Sequence, residues 1–208
     1  MAFVVILGNE EKKQEFQLRE APEHEITFVI ELNEFLQTPA DVFIDLLFEN
    51  EKTRIESLKL LNRPIIINSV VETIKEIQAP FIRINAWAGF LNQIVEGSCL
   101  NESLKPIAES ALTCFNKRIE WLPDEAGFVT PRIISMIVNE AYFALGEGVS
   151  TKEQIDIAMK LGTAYPYGPF EWSQKIGLTK ILHLLNQLKT QEPRYRPAPL
   201  LVKEAGQS

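Results

Sequence analysis

The chain has 208 residues, 46% hydrophobic and 24% charged, with a formal charge of −7 and a pI near 5.0. A chain of this length hides roughly 70% of the surface its unfolded form exposes, so its core needs neither metals nor disulfides, and the apolar content argues against disorder. The negative balance argues against a surface that neutralises phosphates, and so against nucleic acid as a partner.

The N-terminal run Ala2 to Leu7 meets Gly8-Asn9-Glu10-Glu11 at once, too soon for a signal segment or a membrane span, so no membrane partner is expected. Phe3 to Leu7, Ile26 to Ile30, Val42 to Phe48, Ile65 to Ile67 and Phe81 to Ile84 read as strands. Their continuous β-branched and aromatic character predicts strands covered on both faces, the pattern of βαβ units around a parallel sheet. Glu51 to Leu61 and Val70 to Ile77 carry helical apolar spacing and read as crossover helices. Only Cys99 and Cys114 are present, and two thiols with the isolated His24 and His183 build no metal-ligand spacing and no disulfide framework. A reducing cytoplasm and no metal are expected. Asn101 to Phe115 is a further helix-period stretch, and Lys117 to Leu122 a last strand before a boundary near Pro123 to Glu125.

Beyond Gly127 the signals are helical. Thr130 reads as the cap of a helix opening on Pro131, with Ile133, Ile134, Ile137, Val138 and Ala141 on one face and Gly146 and Gly148 as its stop. Ser150-Thr151-Lys152-Glu153 has capping-box spacing, with Ile155, Ala158 and Met159 facing inward and Gly162 ending that helix. One helix is expected over Ser173 to Leu188, before the Pro-rich tail Pro193 to Pro199.

Gly127-Phe128-Val129-Thr130-Pro131-Arg132, Asn139-Glu140-Ala141, Gly146-Glu147-Gly148-Val149, Ile155 to Gly162, Tyr165-Pro166-Tyr167-Gly168-Pro169-Phe170-Glu171 and Arg194 to Leu201, in this order and spacing, resemble the C-terminal domain of the L-3-hydroxyacyl-CoA dehydrogenases. The resemblance implies an α/β plus all-α chain: a shortened, Rossmann-like parallel-sheet domain over residues 1–123, then a helical dimerisation domain over 124–208. It further implies a homodimer through the C-terminal helices, which close one side of the active cleft, and NAD and an acyl-CoA as ligands. Asp41 to Arg54 resembles the family segment beside the nicotinamide end of the cofactor, which puts Glu49 and Arg54 in step with it.

Several residues depart from the family pattern. A dinucleotide fold keeps glycines after its first strand so that the pyrophosphate reaches bare backbone. Here Gly8 stands first, but Glu10 and Lys13 occupy the other two places. Glu31 lies where the ribose-binding acid is expected, and Asp41 follows it after a short stretch where the family carries a long helical excursion. In the family a histidine removes the proton of the 3-hydroxyl and a glutamate steadies the imidazolium. Aligned through Phe81 to Trp87 and Ile94-Val95-Glu96, this chain has Asn85 at the histidine and Glu96 at the glutamate. A carboxamide is no base near neutral pH. Pro131 corresponds to the family's cleft asparagine, and Ser69 is the hydroxyl left in its serine-rich turn.

The expected function is that of a degenerate relative in acyl-CoA metabolism, with dehydrogenase activity lost or severely reduced and acyl-CoA binding or dimerisation retained. An active NAD-dependent oxidoreductase with an altered site and a non-catalytic scaffold are the alternatives.

Overall fold

The computed structural model describes residues 2–16 and 24–207. They fall into two compact units, Met1–Phe128 and Val129–Ser208.

In chain order the first unit contains β1 (Ala2–Leu7), α1 (Glu10–Phe16), β2 (His24–Val29), α2 (Leu32–Gln37), β3 (Val42–Asp45), α3 (Lys52–Leu60), β4 (Ile65–Asn68), α4 (Ile74–Ile77), β5 (Ile82–Ile84), β6 (Ile94–Ser98), α5 (Lys105–Thr113) and β7 (Arg118–Trp121). The strands form one seven-stranded sheet, ordered β2-β1-β3-β4-β5-β6-β7. Every pairing is parallel except β5 with β6. Side chains alternate along each strand, and both faces are dry. Val4, Ile6, Ile44, Ile66 and Ile82 pack with Phe16 of α1 and Leu112 of α5. Val5, Leu7, Phe43 and Ile67 pack on the other face with Phe35 of α2, Leu58 of α3 and Ile77 of α4. Burial on both faces is why the strands read as unbroken apolar runs. The strand order reverses at β1, whose neighbours are β2 and β3, and such a reversal opens a crevice at the carboxyl ends of the strands.

The sequence reading names neither α1 nor α2 as a helix, and two further elements of this unit differ from it. The strand β6 went unread because Val95-Glu96-Gly97-Ser98 carries a charge and a glycine; that glycine is needed, since a Cβ there would sit 2.7 Å from a methyl of Ile119. The helix expected from Val70 is confined to Ile74–Ile77, capped by a reciprocal Thr73–Glu76 pair. Upstream of it the Ser69 and Val70 carbonyls accept from the Arg83 guanidinium, so they are committed before a helix could use them.

The second unit contains α6 (Thr130–Gly146), α7 (Lys152–Thr163), α8 (Pro169–Ile176), α9 (Leu178–Lys189) and α10 (Pro199–Ala205). Its helices begin and end slightly differently from expectation. Thr130 is already inside α6, and Val129 stands at its cap without a side-chain bond. The cap of α7 is Thr151, whose hydroxyl accepts from Gln154 N, rather than Ser150, and the helix passes Gly162 to stop at Ala164 in a left-handed conformation. On α7 the buried side chain is Asp156, whereas Ala158 is exposed. The single helix expected over Ser173 to Leu188 is two, because Gly177 at φ +98° breaks it into α8 and α9.

Candidate functional site

The carboxyl ends of β1, β2 and β3 carry the residues expected to hold a dinucleotide. Gly8 N donates to Val29 O at 3.1 Å, so Gly8 sits beside the end of β2. A Cβ on Gly8 would lie 2.7 Å from Cζ of Phe28 and 3.3 Å from Cβ of Lys12. The bare backbone is therefore approached by a side chain of this chain. The N-terminus of α1 is closed as well: Asn9 Oδ1 accepts from Lys12 N at 2.9 Å, and Glu10 and Glu11 fill its first turn. Both oppose a phosphate, which needs free amides and positive potential.

Glu31 is exposed just before α2 and makes no capping bond. Glu49 is exposed between β3 and α3. Arg54 is engaged: its Nε and Nη2 form a two-pronged contact with Asp45 Oδ2 and Oδ1 at 2.9 and 2.7 Å. Asp45 is fully buried at the end of β3, and burial pushes its carboxyl up to about 6 although Arg54 pulls the other way. Desolvation of the anion outweighs the attraction of its partner.

The ends of β4, β5 and β6 carry the second group. Asn85 and Glu96 meet directly. The Asn85 amide Nδ2 donates to Glu96 Oε2 at 3.1 Å, its main-chain N donates to Glu96 O at 2.9 Å, and its Oδ1 accepts from Trp87 N at 3.2 Å. Asn85 is 1% exposed. Ser69, one residue beyond β4, is buried and its hydroxyl donates to Glu72 O at 2.8 Å. Next to it Asn68 ties the strand ends together, donating to Leu46 O and accepting from Ala86 N. Pro131 lies in the helical unit, buried in the first turn of α6.

Arg83 was missed as a site-shaping residue. It is fully buried in β5, where its Nε donates to Ser69 O at 2.9 Å, Nη1 to Asp124 Oδ1 at 2.6 Å, and Nη2 to Val70 O and Glu125 O at 3.3 and 3.2 Å. The Phe128 ring lies 4.4 Å from the guanidinium carbon. Asp124 in turn accepts from Ile74 N and Lys75 N at the start of α4. One cation thus binds the turn carrying Ser69 to the segment after β7. The signal was a charge inside the apolar run Phe81-Ile82-Arg83-Ile84, which only a fully satisfied partner set permits. Lys117 was missed too. It donates to Leu91 O, Asn92 O and Glu15 O at 2.5, 3.3 and 3.3 Å, pinning the loop after Asn85 onto α1, and burial lowers its pKa.

In the helical unit the motif residues prove to be joints. Asp156 Oδ1 and Oδ2 accept from Phe170 N and Glu171 N at 2.8 and 3.2 Å, so α7 caps α8. Asn139 donates to Arg196 O at 3.0 Å and accepts from Ala198 N at 2.8 Å, holding the tail by its backbone. A cavity of about 620 Å³ is bordered by Tyr142, Lys152, Phe170 and Glu204, where Glu204 takes both the Tyr142 hydroxyl and the Lys152 ammonium.

Residues 127–206 match the family model for the 3-hydroxyacyl-CoA dehydrogenase C-terminal domain. Over these residues the chain carries the C-terminal domain of that family. The chain is 37% identical over 128 residues to the 3-hydroxyadipyl-CoA dehydrogenase of Escherichia coli strain K12, covering 61% of this chain and 27% of that protein. With a probable 3-hydroxybutyryl-CoA dehydrogenase of Bacillus subtilis strain 168 it shares 29% over 182 residues, 79% of this chain and 63% of the relative. It spans less than two thirds of the length of these curated relatives. Its fold is similar to that of the (S)-3-hydroxybutyryl-CoA dehydrogenase of Ralstonia eutropha, with a TM-score of 0.74 at 21% identity over 99% of this chain and 93% of that one. The expected architecture, a Rossmann-like and mostly parallel sheet followed by a helical region, is what this 3-hydroxyacyl-CoA dehydrogenase relative has. Among the described residues no group of three or more candidate metal ligands occurs, and no described helix is long and apolar enough to cross a membrane. The side chain of His24 lies outside the described residues, and His183 is exposed on α9.

Proposed function

We propose that this chain is a 3-hydroxyacyl-CoA dehydrogenase relative that binds an acyl-CoA thioester in a reducing cytoplasm without oxidising it. The observation that carries the reading is the Asn85–Glu96 hydrogen bond at 3.1 Å. The family resemblance puts a proton acceptor at Asn85, and a carboxamide takes no proton near neutral pH. Glu96 then steadies an amide instead of an imidazolium.

The loop after β1 does not fit a pyrophosphate, since Phe28 crowds Gly8 and Asn9 has taken the amide of Lys12. Glu31, Glu49 and Arg54 are vestiges on this reading, with Arg54 spent on Asp45. Ser69 and Pro131 keep the places of cleft residues without a free hydroxyl or an amide to offer. No step through NAD is therefore assigned.

The test mixes the protein with NADH and acetoacetyl-CoA at neutral pH and follows cofactor fluorescence. No saturable oxidation is expected, and Asn85→His is expected to leave the rate at background, because the nucleotide loop stays closed. Saturable turnover by the unaltered protein would sink the reading and restore the active alternative. A rise in melting temperature with CoA esters separates it from a ligand-free scaffold, because a ligand held only by the native state stabilises that state.

We also propose that two copies pair through α7. Ile157 and Leu161 stand one turn apart on the same face of this helix, 54% and 83% exposed, with Val149 just before it 70% exposed. A contiguous exposed apolar face marks an interaction surface. Sedimentation velocity should give a dimer, and Leu161→Glu a monomer with an unaltered circular dichroism spectrum. A monomeric unaltered protein would end the idea.

A further inference from the structure

Helix α1 has only seven residues, too few to hold its shape by itself, so it depends on what grips its ends. At its start Asn9 Oδ1 accepts from Lys12 N at 2.9 Å, next to the crowded Gly8. At its finish it meets residues 85–93, the loop that carries Asn85 out of β5 and returns as β6. Glu15 Oε1 accepts from Gly89 N at 2.6 Å, while Oε2 takes the Lys12 ammonium at 2.8 Å. Lys117 reinforces the same joint: the three hydrogens of its ammonium match three carbonyls, those of Leu91 and Asn92 on the loop and that of Glu15. Phe16, wholly buried, anchors the end of α1 against the Phe115 ring at 4.5 Å. Within the loop Trp87, Ala88 and Leu91 are buried, and Trp87 N donates to Asn85 Oδ1 at 3.2 Å.

We infer that α1 works as a strap that couples the crevice beyond β1 to the loop 85–93 and, through Trp87, to the Asn85 amide. Seven residues rise only about 10 Å, so a push at Asn9 is not absorbed along the helix. Either the whole of α1 shifts or it unwinds. Both withdraw the Glu15 carboxylate from Gly89 N, and with it a charge-assisted bond, the stronger kind. Lys117 cannot replace that bond, because an ammonium has no lone pair to offer an N–H. The loop then opens toward water, which supplies the missing acceptor. Once Trp87 loosens, the Asn85 oxygen loses its donor, so what presses on the crevice at Gly8 is felt at the Asn85–Glu96 pair. This coupling needs no acyl-CoA and stands apart from that reading.

The test is amide hydrogen exchange on the full chain, read peptide by peptide. In the unaltered protein α1 and residues 87–92 should open as one unit, with the same dependence on urea. Glu15→Ala should speed exchange over 87–92 about ten- to hundredfold, the worth of a hydrogen bond to a charged group. Asn9→Ala, at the far end of α1, should speed it about three- to tenfold, the range of a lost cap. This remote effect should vanish in a Glu15→Ala background, where the strap is already cut. Peptides from β4 should exchange as before in every variant. Asn9→Ala acting on α1 alone, acting on the loop equally with and without Glu15, or loosening β4 as well would overturn the coupling. Should a variant fail to fold, the unaltered chain decides: different urea dependences for α1 and the loop mean two independent units and no strap.

Discussion

Replacing Arg83 by methionine is expected to destabilise the sheet unit by about 3–5 kcal/mol, the loss typical of a buried ion pair robbed of one partner. Methionine follows the aliphatic course of arginine but brings no donors. The Asp124 carboxylate, 2% exposed, would lose its counter-charge. The carbonyls of Ser69 and Glu125 would lose the N–H groups that meet them. Asp124 would retain the amides of Ile74 and Lys75, which sets the loss below that of an unsolvated anion. Adding Asp124→Asn should recover part of the loss, since the stranded charge goes with it, and a double-mutant cycle in urea measures that coupling. A single-variant loss under about 1 kcal/mol, within the range of exposed ion pairs, would contradict the burial argument.

Gly168→Ala should cost the helical unit about 3 kcal/mol, from overpacking together with loss of charge-assisted caps. A Cβ at this position collides with the Asp156 side chain, whose β-carbon, carboxyl carbon and Oδ1 all crowd the glycine. The carboxylate cannot simply step aside, because its oxygens hold Phe170 N and Glu171 N. Helix α8 would lose its cap from α7, and the Lys160–Glu171 pair between the same two helices would be disturbed. Asp156→Ala in the Gly168→Ala background should be milder than the sum of the single changes, because removing the carboxylate opens room for the methyl. Strict additivity in thermal or denaturant unfolding would show that the clash is not the cause.

Both variants lie where the sequence was only half legible. The parallel strands could be read because burial on two faces leaves long apolar runs, and α3, α5 and α6 could be read from their spacing. Strand β6 could not, since Glu96 and Gly97 interrupt its apolar character for reasons that lie on other strands: Asn85 for the first and Ile119 for the second. The shortened α4 has the same origin, as no local pattern announces that Arg83 will claim the Ser69 and Val70 carbonyls. Within the candidate site, the meeting of Asn85 with Glu96 was foreseeable only by aligning them with a relative. The crowding of Gly8 by Phe28 was not foreseeable at all, because it depends on the register of β1 against β2. Likewise the Gly168 motif reads as a turn signature, while its glycine is required by a side chain twelve positions earlier, Asp156.

The clamp on the C-terminal tail explains a detail of spelling. Pro197 and Pro199 have no N–H, so Ala198 supplies the sole amide hydrogen of that tripeptide, and Asn139 takes it at 2.8 Å. The alanine methyl is itself wholly enclosed. A third proline would silence the donor, and a bulkier residue would find no room. The interruption of the proline run is thus compulsory, whereas Arg196, held by its backbone alone, its carbonyl by Asn139 and its N–H by Pro193 O, is at liberty to drift.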